Sequence, residues 1–591
     1  MISDATEAAR NRRFVPTAFA VLAVIAICAS IIGAGARASA ATTTFTWGSP
    51  QDLTNTTVQS DIPQIVSGDN GQRLAATWLS NSGGNPVVYA STSSDAGATW
   101  NTPTALSDDG GAAGYPQLSS SADGTKLVVV WGRSDAGDFL IESSVSSDGG
   151  ATWSDWQAMS APNGSADLPQ VVSSADGDKV TAVWTRNNGS NCIVQSTGSP
   201  DGGLYWDGVK TLSSGGQDAS GPQITSSADG SKLTATWYRS DGPDTIVQSK
   251  TSTDGGANWL PTVDVSSVGG NGVEPQITSS SDGEKLATTF TWTGGGNARI
   301  QVSRSLDGGA SWSTPTFLTA DGRDAQNPRI ASSADGEKLF TVWSRYNGTN
   351  SEVQTALSLN AGTDWSGSTT LSSPGADSSL PRISAADAGD TIAVTWEALT
   401  DGKYSIHSSN STDSGSAWSN PVQLSSGTAS SDQSQIATAA DGSKFAAVWK
   451  RTTDSDAIIQ TANATTSTIP DSDKLTPIAA NGCVTPGTAK SIPRKGTKQL
   501  MKPGCKATSG QRIGVTVKAK LRGDVRTYSL FCKRANKQPT HTKRLANGTR
   551  YCTSGALKIR TYGNPLTLNV DWKAPATATY NAYLQARSYR T

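Results

Sequence analysis

The sequence has little of what helices, metal sites and histidine-dependent active sites require. Of 591 residues, three are methionine, two are histidine and six are cysteine, and charged residues make up only 16%. With His407 and His541 as its two histidines, the chain lacks the members of a histidine-based metal site or triad. It has instead 60 glycines and 18 tryptophans. This composition is typical of β-structure and unlike that of a disordered chain.

Long hydrophobic runs are also missing after residue 32. The single run, residues 14–32, follows three arginines and precedes Ala38-Ser39-Ala40, a pattern that signal peptidase accepts. We therefore expect a signal peptide over residues 1–40 and an exported, extracellular protein. Two alternatives remain open. The run is nearly long enough to stay as a membrane anchor, and Arg12-Arg13 resembles a twin-arginine signal.

A repeat of 53 residues runs through most of the chain. Two aromatic series and one proline series recur at this step, with no insertion over eight units. A fixed period of this kind indicates a solenoid or a propeller. The series are Trp47, Trp100, Trp153, Trp206, Trp259, Trp312, Trp365 and Trp418; Trp78, Trp131, Trp184, Trp237, Phe290, Trp343, Trp396 and Trp449; and Pro63, Pro116, Pro169, Pro222, Pro275, Pro328 and Pro381, followed by Ser434.

Each unit contains four short strand candidates between turn signals. In the second unit these are Gln117–Ser120, Lys126–Trp131, Phe139–Ser146 and Trp153–Met159. The second candidate is apolar at nearly every position, as expected of a strand buried on both faces between stacked sheets. Four strands per unit suit a propeller blade.

The chain enters the repeat part-way through a unit. Residues 44–53, around Trp47, resemble a fourth strand, whereas the last unit, residues 435–461, supplies only three strands. We therefore predict an all-β protein with an eight-bladed β-propeller over residues 41–463. The N-terminal strand would complete the last blade and so remove the open edge of the ring.

A second motif, Ser-x-Asp-x-Gly-x-x-Trp, recurs between the third and fourth strand candidates. Its Ser and Asp side chains can bond the exposed backbone of a turn, its Gly tolerates positive φ, and its Trp can bury the turn against the blade. We expect a structural role for these residues. The acids are Asp95, Asp148, Asp201, Asp254, Asp307 and Asp413, with Asn360 in the seventh copy, and the tryptophans are Trp100, Trp153, Trp206, Trp259, Trp312, Trp365 and Trp418.

By this motif, residues 41–470 resemble the Asp-box, or BNR-repeat, propellers, whose best-known members are sialidases. The resemblance implies that the turns lie on the face away from any active site. Sialidases, however, have six blades and an arginine triad that begins at Arg-Ile-Pro. Here Arg329-Ile330 and Arg382-Ile383 follow a proline, which is the reverse order. The triad is therefore not assigned to these residues.

One candidate site is the repeated Trp-x-Arg segment at the end of the second strand. The loops there share the face opposite the Ser-x-Asp turns, where binding residues should be sought. Each arginine could pair with a nearby loop acid and make the hairpin rigid. Alternatively, the arginines could form equivalent sugar pockets that act by avidity. They are Arg133, Arg186, Arg239, Arg345 and Arg451.

A second candidate site is a departure from the repeat. Units six and seven have Arg329 and Arg382 at a position where the other six have glutamine, on the innermost strand. Two arginines in adjacent blades could bind a carboxylate or phosphate at the channel mouth, with Glu274 and Asp324 nearby. Alternatively, arginine replaces glutamine in contacts between blades. The glutamines are Gln64, Gln117, Gln170, Gln223, Gln276 and Gln435.

The region after the repeat has the opposite charge. Residues 471–591 contain 23 basic and four acidic residues, whereas residues 41–470 contain 21 basic and 43 acidic residues. Alternation near residues 513–521 and 566–572 predicts a small β-sandwich over residues 476–591, after a linker at 464–475.

Four of the six cysteines fall in this basic region, which fits an exported protein with two disulfides. Three connectivities are open, and we favour pairing of neighbours, Cys483–Cys505 and Cys532–Cys552. Cys192 is left over, and we expect a buried thiol.

Short C-terminal segments, such as Arg560-Thr561-Tyr562-Gly563, are similar to modules on exported actinobacterial proteins. So positive a field should attract an anionic polymer of the cell wall or an acidic glycan, or dock on the acidic propeller. Nucleic acid is less favoured, because the aromatic platforms that bind it are missing.

Together these features predict a secreted, noncatalytic, monomeric propeller that binds glycans or another surface ligand and is retained at the envelope by the basic module. No cofactor is expected, and the sequence does not decide whether calcium binds. The alternative is a sialidase-like exo-glycoside hydrolase, because a carboxylate pair could lie among the many acidic loops.

Overall fold

A computed structural model describes residues 42–469, apart from short gaps at 56–57, 82, 136, 163, 428 and 454, and strand segments between residues 495 and 590. Every regular element in these parts is a β-strand. They contain no helix with the length and apolarity needed to cross a membrane. The predicted signal peptide lies outside the described residues. Backbone contacts separate the chain into two compact units, one of which is Thr43–Thr468.

The unit Thr43–Thr468 is built from repeated four-stranded antiparallel blades. Six of them are separate sheets, whereas the first and last blades are joined into one nine-stranded sheet by a single parallel pair, Gln59 with Ala457. The chain enters through two short strands, β1 (Thr42–Trp47) and β2 (Gln51–Asp52). Every blade then begins with an innermost first strand and a buried second strand. In chain order these pairs are β3 (Gln59–Ser67) and β4 (Leu74–Asn81), β7 (Ala113–Ser120) and β8 (Leu127–Asp135), β11 (Ala166–Ser173) and β12 (Val180–Asn187), β15 (Ala219–Ser226) and β16 (Leu233–Asp241), β19 (Asn271–Ser279) and β20 (Leu286–Thr293), β23 (Ala325–Ser332) and β24 (Leu339–Tyr346), β27 (Asp377–Ala385) and β28 (Ile392–Thr400), and β31 (Ser430–Thr438) and β32 (Lys444–Thr452).

A third strand follows in each blade, and in the first seven a two-residue fourth strand follows it. In chain order these are β5 (Val87–Ser93) and β6 (Thr104–Ala105), β9 (Asp138–Ser146) and β10 (Gln157–Ala158), β13 (Cys192–Ser199) and β14 (Lys210–Thr211), β17 (Asp244–Ser252) and β18 (Val263–Asp264), β21 (Ala298–Ser305) and β22 (Thr316–Phe317), β25 (Ser351–Ser358) and β26 (Thr369–Thr370), β29 (Lys403–Ser411) and β30 (Val422–Gln423), and finally β33 (Ala457–Ile469).

The fourth strand of the eighth blade comes from the N-terminal segment. Both β1 and β2 pair with β33, and β2 does so with Gln51 opposite Thr461. The amide of Gly48 donates to the carbonyl of Asn463 at 2.8 Å, and the rings of Phe45 and Phe445 stack at 4.1 Å. The predicted eight-bladed propeller, closed by its own leading strand, is confirmed.

A circle of backbone hydrogen bonds joins the hairpins between first and second strands. The amide at one position donates to the carbonyl 53 residues later in the next blade; Ala122 to Ala175, at 2.8 Å, is an example. The last hairpin returns to the first, because the amide of Asp441 reaches the carbonyl of Asp69 at 3.4 Å. The acceptors along the circle are Ala122, Ala175, Ala228, Ser281, Ala334, Asp387, Ala440 and Asp69.

Apolar clusters fill the space between neighbouring blades. Trp131, from the second strand of blade two, is fully buried against Val88 and Leu106 of blade one, and Trp153 packs on the same cluster. At the seam of the ring, Leu53 and Ile459 pack against Trp78 of the first blade. Burying such an aromatic side chain contributes roughly 1.5–3 kcal/mol, so each interface holds its own core.

Two elements differ from the sequence prediction. The fourth strand of blade two covers only Gln157–Ala158, not Trp153–Met159. Trp153 belongs to the preceding turn, and the outermost strand has a single partner to pair with. The last strand, β33, continues to Ile469 because it pairs with β1. The first six residues of the expected linker, 464–469, are therefore strand.

The C-terminal residues form two antiparallel sheets. One contains β34 (Lys495–Met501), β36 (Tyr528–Lys533), β37 (Thr540–His541) and β40 (Ala556–Tyr562). The other contains β35 (Gly514–Lys520), β38 (Lys543–Arg544), β39 (Arg550–Tyr551), β41 (Thr567–Ala574) and β42 (Tyr583–Arg590). The two alternating segments of the sequence pair directly, with Val515 opposite Trp572. The side chains of all four expected disulfide cysteines lie outside the described residues.

Candidate functional site

The first strand of every blade contains a bulge at the mouth of the channel. In blade one the register shifts between Asp61 and Gln64. The residue before each proline of the repeat, or before Ser434, has a left-handed φ between 51° and 63°. Such a conformation costs about 1–3 kcal/mol for a residue other than glycine, and bulges re-aim side chains at the rims of sheets. The residues are Ile62, Tyr115, Leu168, Gly221, Glu274, Asn327, Leu380 and Gln433.

Beyond the bulge, one side chain from each blade lines a cavity of about 350 Å³ in the central channel. Arg329 and Arg382 lie in this ring together with the six glutamines of the repeat, and Ile330, Ile383 and Ile436 also contact the cavity. The structure therefore brings together the whole glutamine and arginine series that the sequence singled out. The glutamines are Gln64, Gln117, Gln170, Gln223, Gln276 and Gln435.

The two arginines are half-buried and face the cavity. The Nη1 atom of Arg329 donates to the carbonyl of Pro328 at 2.8 Å, and that of Arg382 donates to Pro381 at 3.1 Å. Within the described residues, neither guanidinium has an acidic partner at ion-pair distance. Both charges are thus left uncompensated by contact.

Burial shifts the protonation equilibria of both guanidinium groups. Burial, followed by the positive charge of Arg382, lowers the pKa of Arg329 to about 9, and Glu274 opposes the shift. Burial also lowers the pKa of Arg382, with Glu397 acting in the opposite direction. The first cause is the loss of hydration around two residues that are partly buried, and for Arg329 the second is repulsion by the positive charge of Arg382.

Two acids lie near the pair, one of which the sequence reasoning missed. Glu274 is exposed at the mouth and accepts a hydrogen bond from Thr291 Oγ1 at 3.2 Å. Glu397 is buried on β28 and accepts the amide of Gln433 at 2.7 Å. Burial raises the pKa of Glu397. Its position, directly after the second-strand aromatic residue, varies from blade to blade, so the repeat gave no signal for it.

Asp324 does not join the cavity. Its carboxylate accepts the backbone amide of Ala298 at 2.8 Å and the side-chain amide of Asn297 at 3.2 Å. Asp377 holds the amide of Ser351 in the same way, at 2.7 Å. These acids attach the connection between two blades to the third strand of the earlier blade.

Three of the repeated arginines bind the loop that enters their own blade. Arg133 forms ion pairs with Asp108 at 2.5 Å and Glu142 at 3.2 Å, and its guanidinium lies 4.8 Å from the centre of the Trp156 ring. Arg186 donates to the carbonyl of Ala161 at 2.6 Å.

Arg345 donates to the carbonyl of Ala320 at 2.9 Å. The Nε atoms of Arg239 and Arg451 are buried and have no partner in the described part of the chain. The five arginines therefore lie at separate blade connections, and the structure does not gather them into one site.

The Ser-x-Asp-x-Gly turns are closed networks on the face opposite the bulges. In blade two, Ser146 Oγ accepts the amide of Gly150 at 2.9 Å and donates to Asp148 at 2.8 Å. The same aspartate accepts the amide and hydroxyl of Thr152. These bonds hold the pKa of Asp148 down at about 2. Asn360 takes the same position in its turn, where it accepts the amide of Asp364 at 2.9 Å.

Other reactive groups lie away from the cavity. His407 stacks on Trp396 and shares a hydrogen bond with Ser405 at 3.0 Å, and burial lowers its pKa. Cys192 is free but only half-buried, so the expectation of a buried thiol is wrong, because the residue begins an exposed strand end. No cluster of His, Cys, Asp and Glu suited to a metal ion occurs among the described residues.

No protein-family model matches the sequence, and a search of curated proteins finds no match. Among solved structures, the chain is similar to the sialidase of Trypanosoma rangeli at 12% identity and a TM-score of 0.32, over 89% of this chain and 84% of that one. It is also similar to an ulvan lyase of polysaccharide lyase family PL25, solved with a glucuronate and sulfated rhamnose ligand, at 10% identity and a TM-score of 0.39, over 57% and 91%. A prolyl endopeptidase gives 13% identity and a TM-score of 0.40, over 67% and 55%. Because these values are low, the function proposed below rests on the channel itself.

Proposed function

We propose that the protein is an exported, noncatalytic propeller that binds a glycan or another hydroxyl-rich surface ligand at its central channel. The observation that carries this proposal is the ring of six glutamines and two arginines around one cavity. Amide and guanidinium groups offer many hydrogen-bond donors and acceptors, and polyhydroxylated ligands are recognised by such groups. The cavity size falls in the range of ordinary ligand pockets, about 300–1,000 Å³.

The lining favours binding over catalysis. The side chains that face the cavity are amides, guanidiniums and isoleucines, which bind and orient but do not exchange protons near neutral pH. Hydrolysis of a glycosidic bond normally uses two carboxyl groups that flank it. Glu274 and Glu397 are near the arginines but are held by Thr291 and by the amide of Gln433.

The basic C-terminal region would retain the protein at the envelope. Its 23 basic and four acidic residues give a field that attracts anionic polymers such as those of a cell wall. Retention of this kind is electrostatic, so we expect salt to release the protein from cells. Release at low salt, or none at high salt, would contradict this part of the proposal.

The binding function is tested by applying the secreted chain to a panel of immobilised neutral and acidic glycans. We expect binding to a subset of them, weakened at least about tenfold when Gln170 and Gln223 are both replaced by leucine, since several hydrogen bonds are lost. Gln423→Leu, on the outer strand β30, is the matched control. Absence of binding to every glycan would contradict the proposal.

The same preparations are incubated with chromogenic glycosides, sialosides included, to test the hydrolase alternative. We expect no turnover. Turnover that is abolished by Arg329→Ala or Arg382→Ala would overturn the noncatalytic proposal in favour of a glycoside hydrolase.

A further inference from the structure

The positive charges of the channel ring lie on one side, and the repeat does not require this asymmetry. Six blades place glutamine at the position after the bulge, and only blades six and seven place arginine there. Glutamine is therefore sufficient to close the ring. Two adjacent substitutions to arginine put both positive charges on one side of an otherwise neutral lining.

Glu274 and Glu397 act on the two guanidiniums from a distance, but no described acid forms an ion pair with either of them. Each donates to its own preceding proline carbonyl, and neither lies within ion-pair distance of an acid in the described residues. A buried cation is ordinarily paired, because removing its hydration is costly. The remaining donors of Arg329 and Arg382 have the cavity before them, and a ligand could supply the missing negative charge.

The surrounding charge makes this site distinctive. Residues 41–470 carry 43 acidic and 21 basic residues, so most of the propeller surface repels anions. The positive side of the channel is thus a local exception. Its charge would attract an anionic group, and its hydrogen-bond donors would bind that group. Arginine suits this task, because its planar fork binds the two oxygens of an oxyanion together.

We infer that Arg329 and Arg382 bind a carboxylate or sulfate group of the ligand, so that the channel selects acidic glycans over neutral ones of the same size. The selection of acidic glycans rests on the proposed function, whereas the binding of an oxyanion by these two arginines does not. The neighbouring glutamines would then contact the hydroxyl groups of the same sugar.

The test uses the full secreted chain and the double variant Arg329→Gln/Arg382→Gln, which restores the residue of the other six blades and should therefore fold. Lys210→Gln, an exposed cation on the edge strand β14, is the matched charge control. Binding of glucuronate, glucose, sulfate and pairs of uronic and neutral oligosaccharides is measured by calorimetry. The basic C-terminal residues are common to all three proteins, so differences between them report the channel.

We expect the wild-type chain and Lys210→Gln to bind the acidic member of each pair at least about tenfold more tightly than the neutral one, as two charge-assisted contacts would give. The double variant should lose that preference. The variant Arg329→Lys/Arg382→Lys keeps the positive charges but loses the planar guanidinium groups. It should retain part of the preference for the acidic ligand.

A site-resolved readout complements calorimetry. Phenylglyoxal modifies arginines, and peptide mass spectrometry identifies which ones react. Sulfate or glucuronate should protect Arg329 and Arg382, with no comparable protection of Arg73, an exposed residue in the hairpin between β3 and β4.

The outcomes separate the two proposals. Glycan binding without acid preference, unchanged in the double variant, would overturn the oxyanion site and leave the proposed function standing. Protection of both arginines by sulfate, in a chain that binds no glycan, would support the site and overturn the proposed function. Absence of both would overturn both.

Discussion

The two ends of the first strand follow the same repeat and differ in how their polar groups are used. At the hairpin end, backbone bonds join every blade to the next, and the nearby Ser-x-Asp turns bind their own amides and hydroxyls. At the bulge end, the ring side chains face a cavity, and two of them carry a charge that has no ion-pair partner among the described residues. The regular end holds the ring together, and the irregular end presents groups to a ligand.

The largest effect should come from removing the strand that closes the ring. A chain that begins at residue 54 loses the pairing of β1 and β2 with β33 and the contact of Leu53 with Ile459 and Trp78. Burial of Leu53 alone contributes roughly 1.5–3 kcal/mol, and the exposed edge of β33 invites aggregation. We expect a strongly lowered melting temperature and soluble aggregates, measured by calorimetry and light scattering.

A chain that begins at residue 42 keeps both strands and is the control. Equal melting temperatures for the two chains would show that the ring is sealed in some other way.

A smaller effect on stability should come from the hairpin end of the first strand, and it should depend on pH. Hydrogen bonds from Ser121 and Thr125 hold the pKa of Asp123 at about 2, below the usual value. A lowered pKa contributes stability above the unfolded value, about 3.9, that is lost as the pH falls toward 2. Asp123→Ala should therefore cost about 1 kcal/mol at neutral pH, and the deficit should vanish near pH 2.

Denaturant unfolding at a series of pH values measures this difference. Asp155→Ala, which removes an exposed acid outside the turn networks, is the matched control. A deficit of the same size at every pH would mean that Asp123 stabilises the hairpin by something other than its charge.

The smallest effect should have the opposite sign. Arg329 and Arg382 are desolvated beside each other, and burial lowers the pKa of both, so in the absence of ligand their charges oppose folding. Arg329→Gln/Arg382→Gln should raise the melting temperature slightly, as seen when a binding residue is replaced by one that suits the fold alone.

Lys210→Gln is again the control and should leave the melting temperature unchanged. A clear drop in the double variant would instead mean that the arginines hold neighbouring blades together, the alternative that the sequence left open.

The periodicity predicted most of the fold, because a step of 53 residues places equivalent side chains at equivalent positions in every blade. It gave the ring of Gln64 and its equivalents, the odd pair Arg329 and Arg382, and the closing role of the segment around Trp47. Comparison of units shows such features without knowledge of any distance.

What the periodicity missed depends on pairing and backbone conformation. Glu397 comes near Arg382 because β27 and β28 pair with Ser379 opposite Glu397, a register that composition does not show. The left-handed residue before each proline was missed as well, since proline ordinarily favours an extended residue before it. The loop arginines were visible as a pattern, but only the structure shows that Arg186 and Arg345 bind carbonyls of their own blade connections.

The central claim, that the irregular pair in the channel is the ligand-binding part of a regular ring, is tested most directly by a crystal structure with a uronic-acid oligosaccharide bound. We predict a carboxylate between Arg329 and Arg382, with sugar hydroxyls on the neighbouring glutamines. A ligand bound on the outer strands or the Ser-x-Asp turns, with the channel occupied only by water, would contradict the account.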